Sequence, residues 1–226
     1  EPPASAAPIP ALYVRPPWEP PSERPGVKEI VIDPGQAFGT GAHATTRLCL
    51  ELMLELVAHG HAPAALLDVG AGSGVLAIAA AHLGFAPVLG LDHERESVAA
   101  MHDNALANGV SLEVRHFDLR TDPLPWVDEP KVAAVGAPDG ASLVVTANLL
   151  RPLLLELART MTTAPAHLLA SGLLREEADE VAAAFAARLG LHEHARRERG
   201  EWAALWLARA APAERGPVLR PGREAR

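Results

Sequence analysis

The period of the apolar positions changes repeatedly along this chain, and the changes predict alternating strands and helices. Short apolar runs bounded by glycine, proline or polar residues predict strands at 28–33, 65–69, 87–91, 111–117, 142–147 and 167–171. Apolar residues three or four apart predict helices at 45–58, 74–83, 94–108, 149–161 and 175–189. In the first helix Leu48, Leu52 and Leu56 share a face; in the last, Ala178, Val181 and Phe185 do. Residues 191–197 and 202–208 read as two strands joined tightly around Arg199-Gly200-Glu201, a hairpin.

Strands that alternate with helices predict an α/β fold, a mostly parallel sheet with helices on both faces, and the closing hairpin adds an antiparallel strand. In such sheets ligands bind beyond the carboxyl ends of the strands, near the point where the strand order reverses. Ten of the 21 prolines fall within the first 34 residues, so 1–26 reads as an extended proline-rich arm or linker. Tyr13, Val14 and Trp18 are its candidates for pinning to a surface. Residues 27–210 form the expected domain. Residues 121–141 read as a proline- and acid-rich loop, and 211–226 as a loose tail.

Composition narrows the picture. Hydrophobic residues make up 49% of the 226 and charged residues 21%, which is ordinary for a chain with a real core. No apolar run approaches the roughly 18 residues of a membrane helix, so no membrane partner is expected. The first residues show no basic start followed by a long apolar stretch, so no secretory signal is read and the cytoplasm is the expected compartment. The chain starts at Glu1 rather than Met, as a fragment of a longer product would. A net charge of −8 disfavours nucleic acid as the principal partner. One cysteine, Cys49, excludes an internal disulfide framework, and its place in an apolar helix stretch makes a buried thiol the default.

The sharpest segment is Asp68-Val69-Gly70-Ala71-Gly72-Ser73-Gly74, which follows a strand and opens a helix. Gly70 and Gly72 let the backbone turn tightly and approach a ligand. Asp92 ends the next strand, 22 residues after Gly70, where a carboxylate can accept both hydroxyl hydrogens of a ribose. A dinucleotide fingerprint would need glycine at position 75, which is Val75. The acidic Asp68 opposes a pyrophosphate but suits a cation, and S-adenosylmethionine carries a sulfonium and an ammonium. A glycine-rich turn without a ligand is the plainer alternative.

These residues resemble the class I methyltransferases that use S-adenosylmethionine. The stretch from Asp33 to Thr46, DPGQAFGTGAHATT, narrows the resemblance to the PrmA family of bacterial ribosomal-protein methyltransferases. Thr146-Ala147-Asn148-Leu149-Leu150, Gly200-Glu201-Trp202 and the arm motif Val14-Arg15-Pro16-Pro17-Trp18 are similar to that family as well, so the likeness runs from about residue 12 to 209. It implies the seven-stranded class I methyltransferase architecture and methylation of a protein nitrogen, on lysine or the N-terminal amine. It also implies a substrate-recognition domain ahead of the catalytic one, where these 226 residues hold only the arm.

By the resemblance, Thr46, Gly70, Asp92 and Asn148 hold the cofactor, and Phe38, Gly39 and Thr40 line or close the site. Thr45 and Thr46 at a helix start suit the carboxylate of a methionine moiety, and a plain helix cap is the other reading. Asn148 is the catalytic candidate, orienting the substrate nitrogen with nearby backbone carbonyls; the alternative is a polar cap on the helix that follows. A small-molecule methyltransferase and a noncatalytic S-adenosylmethionine-binding scaffold are the competing functions. His43 reads as a surface histidine. His192 and His194, alternating along a strand, form only a weak metal pair. His59 and His61 read as incidental, and oligomeric state is not legible.

Overall fold

A computed structural model describes residues 11–33, 35, 41–61, 64–126 and 143–209. Among these residues the nine strands are β1 (Ala11–Arg15), β2 (Val27–Val31), β3 (Leu66–Val69), β4 (Val88–Asp92), β5 (Glu113–His116), β6 (Val144–Asn148), β7 (His167–Leu174), β8 (Leu191–Arg199) and β9 (Trp202–Arg209). The helices are α1 (Ala44–Ala58), α2 (Val75–His82), α3 (Arg95–Ala107), α4 (Arg151–Thr160) and α5 (Ala178–Leu189), the last preceded by a 3-10 turn at Arg175–Glu177.

Seven strands form one sheet in the order β5-β4-β3-β6-β7-β9-β8. β3, β4, β5, β6 and β7 run parallel, and β9 is antiparallel to both β7 and β8. This is the expected architecture, with β9 the inserted antiparallel strand. From β3 the chain steps outward to β4 and β5, then returns to the other side of β3 as β6. The strand order reverses there, and a crevice opens at the carboxyl ends of β3 and β6.

The period-two alternation of strand side chains divides the core. Leu67, Val69, Leu89 and Val145 pack with Leu154 and Leu157 of α4 and with Val181 and Phe185 of α5. Leu66, Val88, Val144 and Leu169 pack on the other face, with Leu48, Leu52 and Leu56 of α1 and Leu76 and Ile78 of α2. Cys49 is buried in this second layer, and burial pushes its thiol up to about 12, so it is an inert core residue.

Within the stretch read as an arm, residues 11–15 are β1, paired in parallel with β2 in a small separate sheet. Arg15 holds the pairing through an ion pair with Glu29 at 2.9 Å. Val14 packs on Gly41, where an added Cβ would meet Val14 Cγ1 at 2.5 Å. Trp18 does not pin the arm: it is 70% exposed. Residues 1–10, 127–142 and 210–226 lie outside the described residues, and with them the tail and most of the long loop.

The histidines depart from the sequence reading. β8 shifts register between Glu193 and Ala195, so the simple alternation of His192 and His194 breaks there. His194 packs against Trp206 with ring centres 4.1 Å apart, while His59, His61 and His167 surround the same indole. Trp206 Nε1 donates to His167 Nδ1 at 3.1 Å, and burial pushes the His167 imidazole down to about 4. His59 and His61 therefore belong to a cluster. Among the described residues no group of three or more His, Cys, Asp or Glu side chains is placed to hold a metal ion. None of the described helices is long and apolar enough to cross a membrane.

Candidate active site at the carboxyl ends of β3, β4 and β6

The glycine loop leaves β3 and folds back over the end of β4. Gly70 N–H and Ala71 N–H both donate to the Leu91 carbonyl at 2.9 Å. Gly70, Gly72 and Gly74 have φ of +72°, +55° and +84°, a region that other residues enter only with strain. At Gly70 a Cβ would lie 2.3 Å from Leu149 Cδ2, so the loop rests directly on the residue after Asn148. Gly74 ends the loop against Met101 of α3, where a Cβ would come within 2.6 Å of Cγ. The glycine spacing thus reflects close approach as well as turning.

Asp92, the last residue of β4, is clamped by two backbone donors. Gly72 N–H reaches one carboxylate oxygen at 2.8 Å, and Glu94 N–H reaches the other at 3.0 Å. Each oxygen keeps a second acceptor site. The carboxylate borders a cavity lined by Gly70, His93, Phe117, Leu119, Leu149 and Leu153. Its walls are largely apolar, with the fixed acid at one edge, the general build of a small-molecule site. Phe117, Leu119 and Leu153 were not singled out in the sequence. They come from β5's far end and from α4, and only the strand order brings them to Asp92.

Asp68 lies beneath the loop, 1% exposed. Thr146 Oγ1 of the neighbouring β6 donates to Oδ1 at 2.7 Å, while Oδ2 has no hydrogen-bond partner among the described residues. Burial is the main cause that pushes this carboxyl up to about 7; Thr146 and the Ala77 N–H oppose the rise, and the charge of Asp92 adds to it. A buried acid with an unused oxygen is a ready counter-ion for a cation placed nearby.

The other wall is the first turn of α1. Thr45 and Thr46 are buried within the helix and do not cap it. The cap is His43, whose Nδ1 accepts from Thr45 N–H at 3.4 Å and lies 2.8 Å from Thr45 Oγ1. Its ring meets Trp202 edge to face at 5.0 Å. His43 is therefore a half-buried structural residue and not a surface one. A histidine N-cap held by a tryptophan from β9 has no local signal.

Asn148 ends β6, and its Nδ2 donates to Thr46 Oγ1 at 3.4 Å. It does not cap α4: the cap position is Leu150, without a side-chain bond. The structure thus brings Asp68, Gly70, Gly72 and Asp92 to the ends of β3 and β4, and Thr46 of the first turn of α1 to Asn148 at the end of β6; of these, Gly70 and Asp92 line the cavity. Phe38, Gly39 and Thr40 lie outside the described residues.

The family described as Ribosomal protein L11 methyltransferase (PrmA) matches residues 7–210. Ribosomal protein L11 methyltransferase of Geobacter sulfurreducens is 40% identical over 197 residues, covering 86% of this chain and 59% of its own. That of Syntrophotalea carbinolica is 40% identical over 203 residues, covering 88% and 61%. The chain therefore spans about three fifths of the length of these curated relatives. The crystal structure of ribosomal protein L11 methylase from Lactobacillus delbrueckii subsp. bulgaricus matches with a TM-score of 0.71 at 29% identity, over 88% of this chain and 95% of that one. The fold extends to magnesium protoporphyrin IX methyltransferase of Synechocystis PCC 6803, with a TM-score of 0.50 at 18% identity over 73% and 79% of the two chains. With the match running through the whole sheet and through every segment of the crevice described above, this chain belongs to the PrmA family of ribosomal protein L11 methyltransferases.

Proposed function

We propose that this chain is the catalytic domain of a cytoplasmic S-adenosylmethionine-dependent N-methyltransferase whose substrate is a ribosomal protein. The observation that carries the reading is the clamped Asp92 on one side of the crevice with Asn148 tethered to Thr46 on the other. In this reading Asp92 takes a ribose and Asn148 an amine, at the ends of the two strands that flank β3.

The residues fit the cofactor. Asp92 has two acceptor sites left for a ribose diol. The apolar walls suit an adenine, and the α1 N-terminus suits a carboxylate. Asp68 Oδ2, without a hydrogen-bond partner among the described residues, suits the ammonium or the sulfonium and opposes a pyrophosphate. S-adenosylmethionine supplies a methyl group on a sulfonium, ready for in-line displacement with a neutral leaving group.

This chain's residues then have little acid–base chemistry to perform. They must hold the amine nitrogen within near-attack distance of the methyl carbon and in line with the bond that breaks. The nitrogen must be neutral; a lysine starts near pKa 10.4 and an N-terminal amine near 7.7–8.0. Asn148 takes up no proton near neutral pH, so the proton leaves to water and turnover rises with pH. The side-chain oxygen of Asn148, freed by the bond of Nδ2 to Thr46, accepts from the amine and points its lone pair.

Asp68 makes cofactor affinity pH-dependent. Its carboxyl titrates near 7 in the ligand-free protein, above the unfolded value of 3.8. The ligand-free fold therefore loses stability as pH rises through 7, because the native state must give up a proton it prefers to keep. A cationic ligand favours the ionised form, so binding below pH 7 releases a proton and tightens as pH rises to 8. Calorimetric titration with S-adenosylmethionine at pH 6, 7 and 8 is expected to show that trend, and Asp68→Asn is expected to flatten it. Parallel profiles for the two proteins would remove Asp68 from the site.

The substrate reading is tested by intact mass spectrometry of the ribosomal protein L11 after incubation with this chain and S-adenosylmethionine. Increments of whole methyl groups are the expected result. No increment while cofactor still binds would refute that substrate for this chain and favour a different acceptor or a binding-only role.

A further inference from the structure

Two asparagines stand four residues apart on the inner face of α3, Asn104 within the helix and Asn108 at its C-cap. Asparagine is a poor helix former, because its side chain competes for backbone hydrogen bonds. Here both side chains bond the backbone of another segment, the end of β2. Val31 N–H donates to Asn108 Oδ1 at 2.8 Å, and Asn108 Nδ2 donates to the Val31 carbonyl at 2.7 Å. Asp33 N–H donates to Asn104 Oδ1 at 2.9 Å, and Asn104 Nδ2 donates to the Asp33 carbonyl at 3.3 Å. Ile32 N–H, between them, turns the other way to the Arg15 carbonyl beside β1. Each carboxamide therefore takes the place of a peptide group on the edge of β2 away from β1.

The two amides differ in their remaining bond. Asn108 Nδ2 returns to its own helix, at the Asn104 carbonyl, 2.7 Å away. Asn104 Nδ2 leaves the helix and donates to the Ser73 carbonyl at 2.9 Å. Ser73 is fully buried in the glycine loop, and Asn104 is 3% exposed. On one side of Ser73 is Gly72, whose N–H holds Asp92. On the other is Gly74, seated on Met101, three residues before Asn104 on the same helix face. Both hydrogens of the Asn104 amide and its oxygen are thus committed. One side chain joins the glycine loop to the end of β2.

The loop needs such an anchor. Its three glycines admit many backbone conformations, so local sterics alone do not hold it in one. Without the Asn104 amide, the Ser73 carbonyl is a buried acceptor that has lost a donor, and other loop positions become competitive. A ligand that needs the loop in place then binds with a Kd raised by the inverse of the fraction still in place.

We infer that Asn104 is a positioning residue for S-adenosylmethionine: its carboxamide ties the Ser73 carbonyl to the end of β2 and so keeps Gly72 on Asp92, where the ribose is taken. This rests on the reading of Asp92 above. Asn104 does not line the cavity and acts through the loop. Asn108 has the same grip on β2, but its further bond stays within α3, so it is the matched structural control.

The test compares Asn104→Ala with Asn108→Ala in the whole chain. Two quantities are read: the thermal unfolding midpoint, and the calorimetric Kd for S-adenosylmethionine at a temperature where both variants are folded. A merely structural role moves the midpoint and leaves Kd alone. The expected result is a lowered midpoint in both variants, a Kd raised about tenfold or more in Asn104→Ala, and a wild-type Kd in Asn108→Ala. A wild-type Kd in Asn104→Ala, or an equal rise in both variants, overturns the inference. Should Asn104→Ala fail to fold, Asn104→Leu decides. Leucine has a similar branched outline and favours the helix more, but makes none of the amide bonds. It is expected to raise Kd as well, and an unchanged Kd overturns the inference. A wild-type chain that binds no S-adenosylmethionine overturns the reading of the crevice, and this inference with it.

Discussion

Asn148→Ala is expected to lower turnover about a hundredfold while changing the affinity for S-adenosylmethionine only a few-fold. The side chain offers one oxygen to the amine, and its nitrogen is committed to Thr46 at 3.4 Å. Truncation removes the acceptor and leaves Thr46 Oγ1 without its donor. An amine that swivels rarely meets the methyl carbon in line, and a misplacement on the order of 1 Å costs about that factor. Cofactor contacts on the Asp92 side are untouched. Stopped-flow or single-turnover kinetics with the ribosomal protein, beside a calorimetric titration of the cofactor, separate the two quantities. Equal losses in both would show that Asn148 serves the cofactor and not the amine.

Asp92→Ala is expected to produce the opposite split: a loss of cofactor affinity of about 1–3 kcal/mol, roughly 5- to 150-fold in Kd. A charged acceptor is lost from the ribose position. Gly72 N–H and Glu94 N–H lose their partner as well, at 2.8 and 3.0 Å, so the glycine loop is no longer tied to the end of β4. Asp92→Asn separates these contributions, because an amide oxygen still accepts one of the two backbone bonds while the charge is gone. Its affinity is expected to fall between those of the wild type and the alanine variant. An unchanged Kd for Asp92→Ala would displace the ribose from this carboxylate.

The two expectations differ because the crevice has two walls built by different means. Asp92 and the glycine loop are held by backbone bonds within one β-loop-α unit and its neighbouring strand. Asn148 is held by α1 and β7, segments distant in the chain. A substitution in one wall therefore leaves the other largely intact, which is what permits binding and turnover to be separated experimentally.

The glycine wall was legible from residues alone. A run such as Asp68-Val69-Gly70-Ala71-Gly72-Ser73-Gly74 after an apolar strand permits positive φ angles, and the observed +72°, +55° and +84° at its three glycines lie where only glycine goes without strain. The alternation of strands and helices, and with it the parallel sheet, is likewise written in the period of the apolar positions. Both are short-range properties: each depends on residues a few positions apart, so the order of residues suffices to state them.

The rest depends on partners that are far away in the chain. The extended segment 11–15 becomes a strand only because β2 lies alongside, and an extended peptide without a partner has the same sequence. His43 caps α1 where Trp202 stands against its ring, 159 positions further on. His59, His61, His167 and His194 meet only because the sheet places Trp206 between them. Asn148 gains its orientation from Thr46. The order of residues determined which groups this protein has for the proposed cofactor and amine, because turn chemistry and periodicity are local. Which of those groups share one crevice, and which way Asn148 points, was decided by the packing of α1 and β7 against β6, because hydrogen bonds and close contacts between distant segments exist only once the sheet has assembled.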